Sequence, residues 1–234
     1  KQGRSLGIFP DGFLPHITTD VVDTAIVVGV NGELDEWNWD ASIDYGKNDF
    51  GLGNENTVNS SLGDNSPTSF YNGALIYDQT IVNLTFDNML DFGLYDDVFF
   101  AIGVEYRKEN YEIVAGEEAS YIDGGSQGFP GLPASTAQGR NNLGLFIELD
   151  TDLTDNLNVA LAGRYEDYSD FGTNFTSKLA ARYVVNDNLS FRGAISTGFR
   201  APSLAQTSYT TVSTIFVDDG SGGQIPQESG LFPV

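Results

Sequence analysis

Six basic side chains, Arg107, Arg164, Lys178, Arg182, Arg192 and Arg200, fall on the polar positions of segments that alternate between polar and apolar residues. A guanidinium offers planar, bidentate recognition of carboxylate and phosphate, so this ladder is equipped to hold an anionic or polyhydroxylated ligand. The same groups can instead pair with acids of their own face, such as Glu105, Glu148 and Glu166. Other catalytic equipment is sparse. With no cysteine and His16 as the only histidine, thiolate nucleophiles, cysteine metal sites and two-histidine metal sites are excluded, and any serine triad would have to use His16. His16, in Phe-Leu-Pro-His-Ile, reads as a loop packing residue. Asp218-Asp219 and Glu117-Glu118 supply oxygen ligands of the kind Ca²⁺ takes, without the spacing of a calcium loop. Glu166 and Asp167 are neighbours on a strand, so they point to opposite faces and cannot flank a glycosidic bond together. The residues therefore predict no enzyme, no cofactor and no resident metal. The 33 acidic and 11 basic residues leave a net charge of −22, which also argues against a nucleic-acid partner, since tracking phosphates requires a basic face. The charge does not name a ligand.

The elements that position these arginines alternate with period two. From Val98 one parity reads Val98, Phe100, Ile102, Val104, Tyr106, and the other carries Glu105 and Arg107. Leu157, Val159, Leu161 and Tyr165 oppose Asn158 and Arg164; Phe175, Leu179, Ala181 and Tyr183 oppose Lys178 and Arg182; Leu189, Phe191, Ile195 and Phe199 oppose Arg192 and Arg200. Trp37, Trp39, Ile43 and Tyr45 oppose Asn38, Asp40 and Asp44, and weaker alternation covers 24–34, 75–87 and 142–151. This predicts about eight strands and an all-β chain. No apolar run reaches the roughly 18 residues a membrane helix needs, but a spanning strand needs only about 9–11 with every second one apolar. A polar face mixing Arg with Ala, Gly and Glu fits a crowded aqueous lumen. Rings at strand ends, Trp37, Tyr165, Tyr183 and Phe199, fit the two interfaces of a membrane barrel. Periodicity alone leaves open a soluble antiparallel sandwich and a self-contained eight-stranded barrel.

Connection lengths add an independent constraint. Links at 35–36, around 96–97, 152–156 and 186–188 are short and made of turn residues. Links near 1–20, 51–74, 112–139 and 201–234 are long and rich in Gly, Ser and Pro. In an up-and-down meander all the long links fall on one end, with only Asp170-Phe171-Gly172-Thr173 short there; long loops on one end are the pattern of outer-membrane barrels. Tyr121, Phe129, Tyr209 and Phe216 place rings in these loops, where they can touch a ligand or pack among themselves.

Three runs are more specific: Arg164-Tyr165-Glu166-Asp167-Tyr168-Ser169-Asp170-Phe171-Gly172, Lys178-Leu179-Ala180-Ala181-Arg182-Tyr183, and Arg192-Gly193-Ala194-Ile195-Ser196-Thr197-Gly198-Phe199-Arg200-Ala201-Pro202-Ser203-Leu204. With Asp11-Gly12-Phe13-Leu14-Pro15, Tyr45-Gly46-Lys47-Asn48, Gly103-Val104-Glu105-Tyr106-Arg107-Lys108-Glu109 and Gly128-Phe129-Pro130-Gly131, they resemble the barrel of TonB-dependent outer-membrane receptors, in the same order and over nearly the whole chain. The resemblance implies an antiparallel up-and-down meander forming part of a large transmembrane β-barrel of about 22 strands in the bacterial outer membrane. It implies lipid outside, a plug domain of the same parent chain inside and, through it, TonB as partners. The sequence contains neither plug nor TonB box, so residues 1–234 are expected to be a partial barrel. The expected function is energised uptake of a scarce nutrient such as a siderophore, vitamin or oligosaccharide, with Arg107, Arg164, Arg192, Arg200, Tyr121 and Phe129 as candidate ligand contacts. A passive channel and a soluble carbohydrate-binding sandwich are the alternatives.

Overall fold

The computed structural model describes residues 7–208, 211–218 and 224–231. Eight strands, β1 (His16–Leu34), β2 (Trp37–Glu55), β3 (Ser69–Leu90), β4 (Val98–Ala115), β5 (Thr136–Thr154), β6 (Leu157–Tyr168), β7 (Gly172–Asn186) and β8 (Leu189–Ser196), pair in chain order into one antiparallel sheet. Two short helices, α1 (Glu118–Tyr121) and α2 (Leu204–Ser208), lie in the links after β4 and β8, and β9 (Thr211–Asp218) pairs with β10 (Gln224–Leu231) as a separate ribbon. Among the described residues the outer edges of β1 and β8 have no strand partner, so the sheet is open.

Register fixes the two faces. Ser42 lies opposite Gly29 and Asn83, Asn83 opposite Glu105, Glu105 opposite Gly144, Gly144 opposite Glu166, and Glu166 opposite Asn174. One face is thus polar from β1 to β8. The other carries Ile43, Val82, Ile102, Leu145, Leu161, Leu179 and Ile195, all exposed. A soluble sandwich would cover this face with a second sheet. None does so among the described residues, which removes the sandwich alternative: an apolar surface of this extent suits hydrocarbon, not water. Trp37 to Tyr45 on β2, Leu157 to Tyr165 on β6 and Phe175 to Tyr183 on β7 each span nine residues of the apolar parity, the length a tilted spanning strand needs. Beyond Tyr45 and Tyr106 the same parity turns polar, with Lys47 paired to Asp49 at 3.4 Å and Asn110 donating to Asp78 at 2.8 Å.

The strands run further than the alternation suggests. β1 starts at His16, β2 continues to Glu55, β3 starts at Ser69, and β4 and β5 extend to Ala115 and from Thr136, so the links there are 56–68 and 116–135. Ladder hydrogen bonding sustains these extensions through Gly, Asn and Ser positions that carry no hydrophobic period. In the other direction, β8 ends at Ser196, so Phe199 and Arg200 stand beyond the strand rather than on its two faces.

The packed core sits on the polar face at the long-loop end. Tyr111 and Ile113 of β4 enclose Leu132 from the β4–β5 link and Leu204 of α2, with Leu52, Leu75 and Tyr77 around them. The long links therefore fold inward over the lumen wall.

Candidate functional site: the lumen wall and its loop-side rim

Glu105 on β4 is the first node of the wall. Its Oε1 accepts from Arg107 Nη2 at 3.0 Å and from Arg164 Nη2 at 3.1 Å, while Arg164 Nε donates to Glu166 Oε1 at 3.1 Å. Asn142 Nδ2 also donates to Glu166 Oε1, at 3.2 Å. Arg164 reaches across β5 because Gly144 leaves room: a Cβ there would stand 2.7 Å from Nη2. Gly103 plays the same part for Phe146, whose ring an added Cβ would strike. Two of the expected ligand contacts, Arg107 and Arg164, are thus held by wall carboxylates, the pairing that their shared face allowed. Phe146, Glu148, Arg164, Thr176, Lys178 and Ser196 border a shallow trough of about 280 Å³ beside this node.

Arg140 is the second node, and the sequence reading missed it. Its side chain is 2% exposed. Nε donates to both Asp170 oxygens at 2.8 and 3.0 Å, Nη1 donates to the Pro202 carbonyl at 2.8 Å and lies 3.9 Å from Glu109 Oε2. The guanidinium carbon stands 5.0 Å from the centre of the Phe171 ring, within cation–π range. Phe171 stacks on Tyr168 at 4.4 Å and meets Phe199 at 5.7 Å. This one side chain ties β4, β5, the β6–β7 turn and the segment after β8 together. It also explains why two separate runs are so specific in sequence: Tyr168 to Phe171 and Phe199 to Pro202 are two halves of one arginine socket. The signal was available, because Arg140 shares the parity of Asn142 once the strand is continued two residues backward. Tyr77 completes the node by donating to Glu109 Oε1 at 2.5 Å; burial first, and the Glu109 carboxylate second, raise its phenol pKa.

The third node pins the β4–β5 link. Asn54 and Asn72, both fully buried, each donate to Ser126 Oγ at 3.0 Å and to the Phe129 carbonyl at 2.6 Å, and Ser126 Oγ itself donates to that carbonyl at 2.9 Å. Phe129, expected as a ligand contact, is half-buried, and its main chain anchors the loop. Tyr121 ends α1 and is half-buried. Arg192 lies directly opposite Arg182, and both are exposed on the lumen face; Arg200 is exposed beyond β8. Tyr209 and Asp219 lie outside the described residues, as do the side chains of Phe216 and Asp218. His16 is exposed at the start of β1, and Glu117 accepts from the Tyr71 amide at 3.2 Å. Among the described residues no group of His, Asp and Glu is arranged to hold a metal ion.

An open antiparallel sheet with an apolar outer face, a charged inner wall and loops folded inward at one end is a section of a large transmembrane β-barrel of the outer membrane. The chain belongs to the family of TonB-dependent receptor-like β-barrels, whose model matches residues 5–230. It is similar to the ferric enterobactin receptor PirA of Pseudomonas aeruginosa, with 25% identity over 131 residues, 52% of this chain and 17% of that one. Among solved structures it is similar to a mutant of the ferric enterobactin receptor PfeA from Pseudomonas aeruginosa, with 18% identity and a TM-score of 0.67, covering 92% of this chain and 30% of that one. The siderophore receptor PirA from Acinetobacter baumannii follows at 16% identity and a TM-score of 0.64, covering 91% and 30%. The RagAB peptide transporter shares the fold at 11% identity and a TM-score of 0.59, covering 91% and 26%. The chain thus spans less than a third of these relatives. The family comprises outer-membrane receptors of Gram-negative bacteria, not enzymes.

Proposed function

We propose that residues 1–234 form part of the barrel of an outer-membrane receptor that imports a small-molecule nutrient with energy supplied by TonB through a plug domain of the same parent chain. The family match over 5–230 carries this reading, and the exposed apolar face opposite a charged wall supports it. Ferric siderophores are the nutrient class to test first, because the curated relative is a ferric enterobactin receptor. Ligand would meet the inward-folded loops at the end of the wall carrying Tyr121, Phe129 and Arg200. Arg192 lies nearer the short-turn end of the wall, while Arg107 and Arg164, already bridged to Glu105 and Glu166, present neutralised surface. No chemical turnover is part of the function.

The test is uptake of ⁵⁵Fe-enterobactin by cells that lack their own receptors and express the full-length parent, with and without TonB. Uptake that requires TonB is the expected result. Uptake indifferent to TonB would identify a passive channel, and no uptake of any siderophore would remove the substrate class while leaving the fold assignment standing.

A further inference from the structure

The short-turn end of the sheet breaks its own pattern once. Three of its connections are two residues long and wholly polar: Asp35-Glu36, Asp155-Asn156 and Asp187-Asn188. The fourth, between β3 and β4, runs as Asp91-Phe92-Gly93-Leu94-Tyr95-Asp96-Asp97. Two residues suffice to reverse an antiparallel chain, as the other three connections do, so the extra length is not needed for the hairpin. Turn chemistry does not call for its apolar side chains either, since turns favour Gly, Asp and Asn. Phe92, Leu94 and Tyr95 are nevertheless each more than half exposed.

Three contacts turn this link toward the apolar side of the sheet. Thr151, on the apolar parity of β5 opposite Val159, donates through Oγ1 to the carbonyls of Asp96 and Asp97 at 3.2 Å each. The Tyr95 hydroxyl reaches across to the β5–β6 turn and donates to Asp155. Val98, which opens the apolar parity of β4, is buried, whereas Phe100 is half-buried and Ile102 exposed farther along that face. The chain that covers Val98 therefore enters from the turn end, where the link adjoins it. Phe100 meets Trp37 edge to face at 5.9 Å, so the link borders the level of rings on the apolar face. Among the described residues the outer side of this end carries acids and no base. Apolar area, not attraction to phosphate, is what the link offers a partner.

We propose that the 91–97 link is an interfacial membrane anchor that lays Phe92, Leu94 and Tyr95 into the inner-leaflet boundary of the outer membrane and fixes the depth of this side of the barrel. Rings and leucine gain there by burial, while the Tyr95 hydroxyl and the flanking carboxylates stay on the wet side. The occupant is zwitterionic phospholipid, because the link continues the apolar face and its carboxylates offer nothing to an anionic headgroup. The inference rests on the receptor reading for its placement of the short-turn end at the inner leaflet, and not on what is transported.

The test places single nitroxide labels in the full-length parent, with any cysteine outside residues 1–234 replaced by serine, in phosphatidylcholine bilayers. Power-saturation electron paramagnetic resonance then compares collisions with oxygen, which concentrates in lipid, and with a water-soluble nickel chelate. The labelled positions are Leu94→Cys, Leu161→Cys on the apolar face of β6, and Asn188→Cys in a polar turn of the same end. The expected oxygen-to-nickel ratio at Leu94 is several-fold above that at Asn188 and approaches that at Leu161. Phe92→Ser with Tyr95→Ser should bring the Leu94 ratio down toward that of Asn188. If this pair fails to fold, as the heat-dependent gel mobility of barrels reports, a label at Phe92→Cys replaces it and must also report lipid. A Leu94 label as open to nickel as Asn188 overturns the proposal. So does one shielded from both reagents, which would put the link under protein, or contact with lipid that appears only once phosphatidylglycerol is added. A Leu161 label in water marks failure of the barrel placement instead, which separates the two failures.

Discussion

Arg140 is worth more than any arginine of the alternating ladder because of what it leaves behind. Its removal strands Asp170, leaves Glu109 with the Tyr77 hydroxyl but no cation, frees the Pro202 carbonyl and opens a void against Phe171. Arg140→Ala should cost about 2–4 kcal/mol, allowing for the partial exposure of Asp170. Arg200→Ala, at an exposed position beyond β8, should stay within about 0.5 kcal/mol. Urea unfolding of the full-length parent in detergent compares them, and equal costs would mean that the socket contributes nothing. Tyr77 gives the same node a pH signature. Its folded-state pKa lies above the unfolded value near 10, so its contribution is full below about pH 10 and is lost as pH rises through the folded value. Melting temperatures from about pH 9 to 11 should therefore fall more steeply in the wild type than in Tyr77→Phe; parallel slopes would contradict the Tyr77–Glu109 link.

At the scale of elements, strand faces decide what a substitution meets. Leu179 lies opposite Ile195 on the apolar face, and Lys178 opposite Ser196 on the lumen face. Arginine on the lipid side near the midplane costs roughly 2–4 kcal/mol, whereas the wall already holds several bases. Ile195→Arg should reduce folded receptor in outer membranes far more than Ser196→Arg, with Ile195→Met and Ser196→Gln as size-matched controls. Equal losses would reverse the face assignment. The inward-folded links follow a different rule, because buried donors and acceptors rather than apolar area hold them. Asn72→Leu leaves Ser126 and the Phe129 carbonyl short of a partner, so it should raise protease cutting within 116–135 while the membrane strands stay protected.

At the scale of the molecule, the sheet has an uncovered apolar face and, among the described residues, two open edges. Such edges template association between copies. Residues 1–234 expressed alone should therefore sediment as aggregates in buffer without detergent. A monodisperse monomer there would mean that the apolar face is covered in a way the strand pairing does not provide.

The sequence by itself determined the all-β class, the count of about eight strands in the main sheet, which parity is apolar and which end carries the long loops. These follow from the pleat, since a period of two is written into every second residue and turn residues mark where it stops. It did not determine where the strand extensions at the long-loop end stop, because Gly46, Gly51, Gly53 and their Asn neighbours sustain a ladder through backbone hydrogen bonds that leave no hydrophobic period. It placed Arg200 on a strand face that ends at Ser196. For Arg107 and Arg164 it left two readings open, ligand contact or pairing with acids of their own face, and the tertiary structure bridges them to Glu105 and, for Arg164, also to Glu166. Only tertiary structure joined Arg140 to Asp170 and Pro202, across 30 and 62 positions of chain, because cross-strand register brings together residues whose partnership no local pattern encodes.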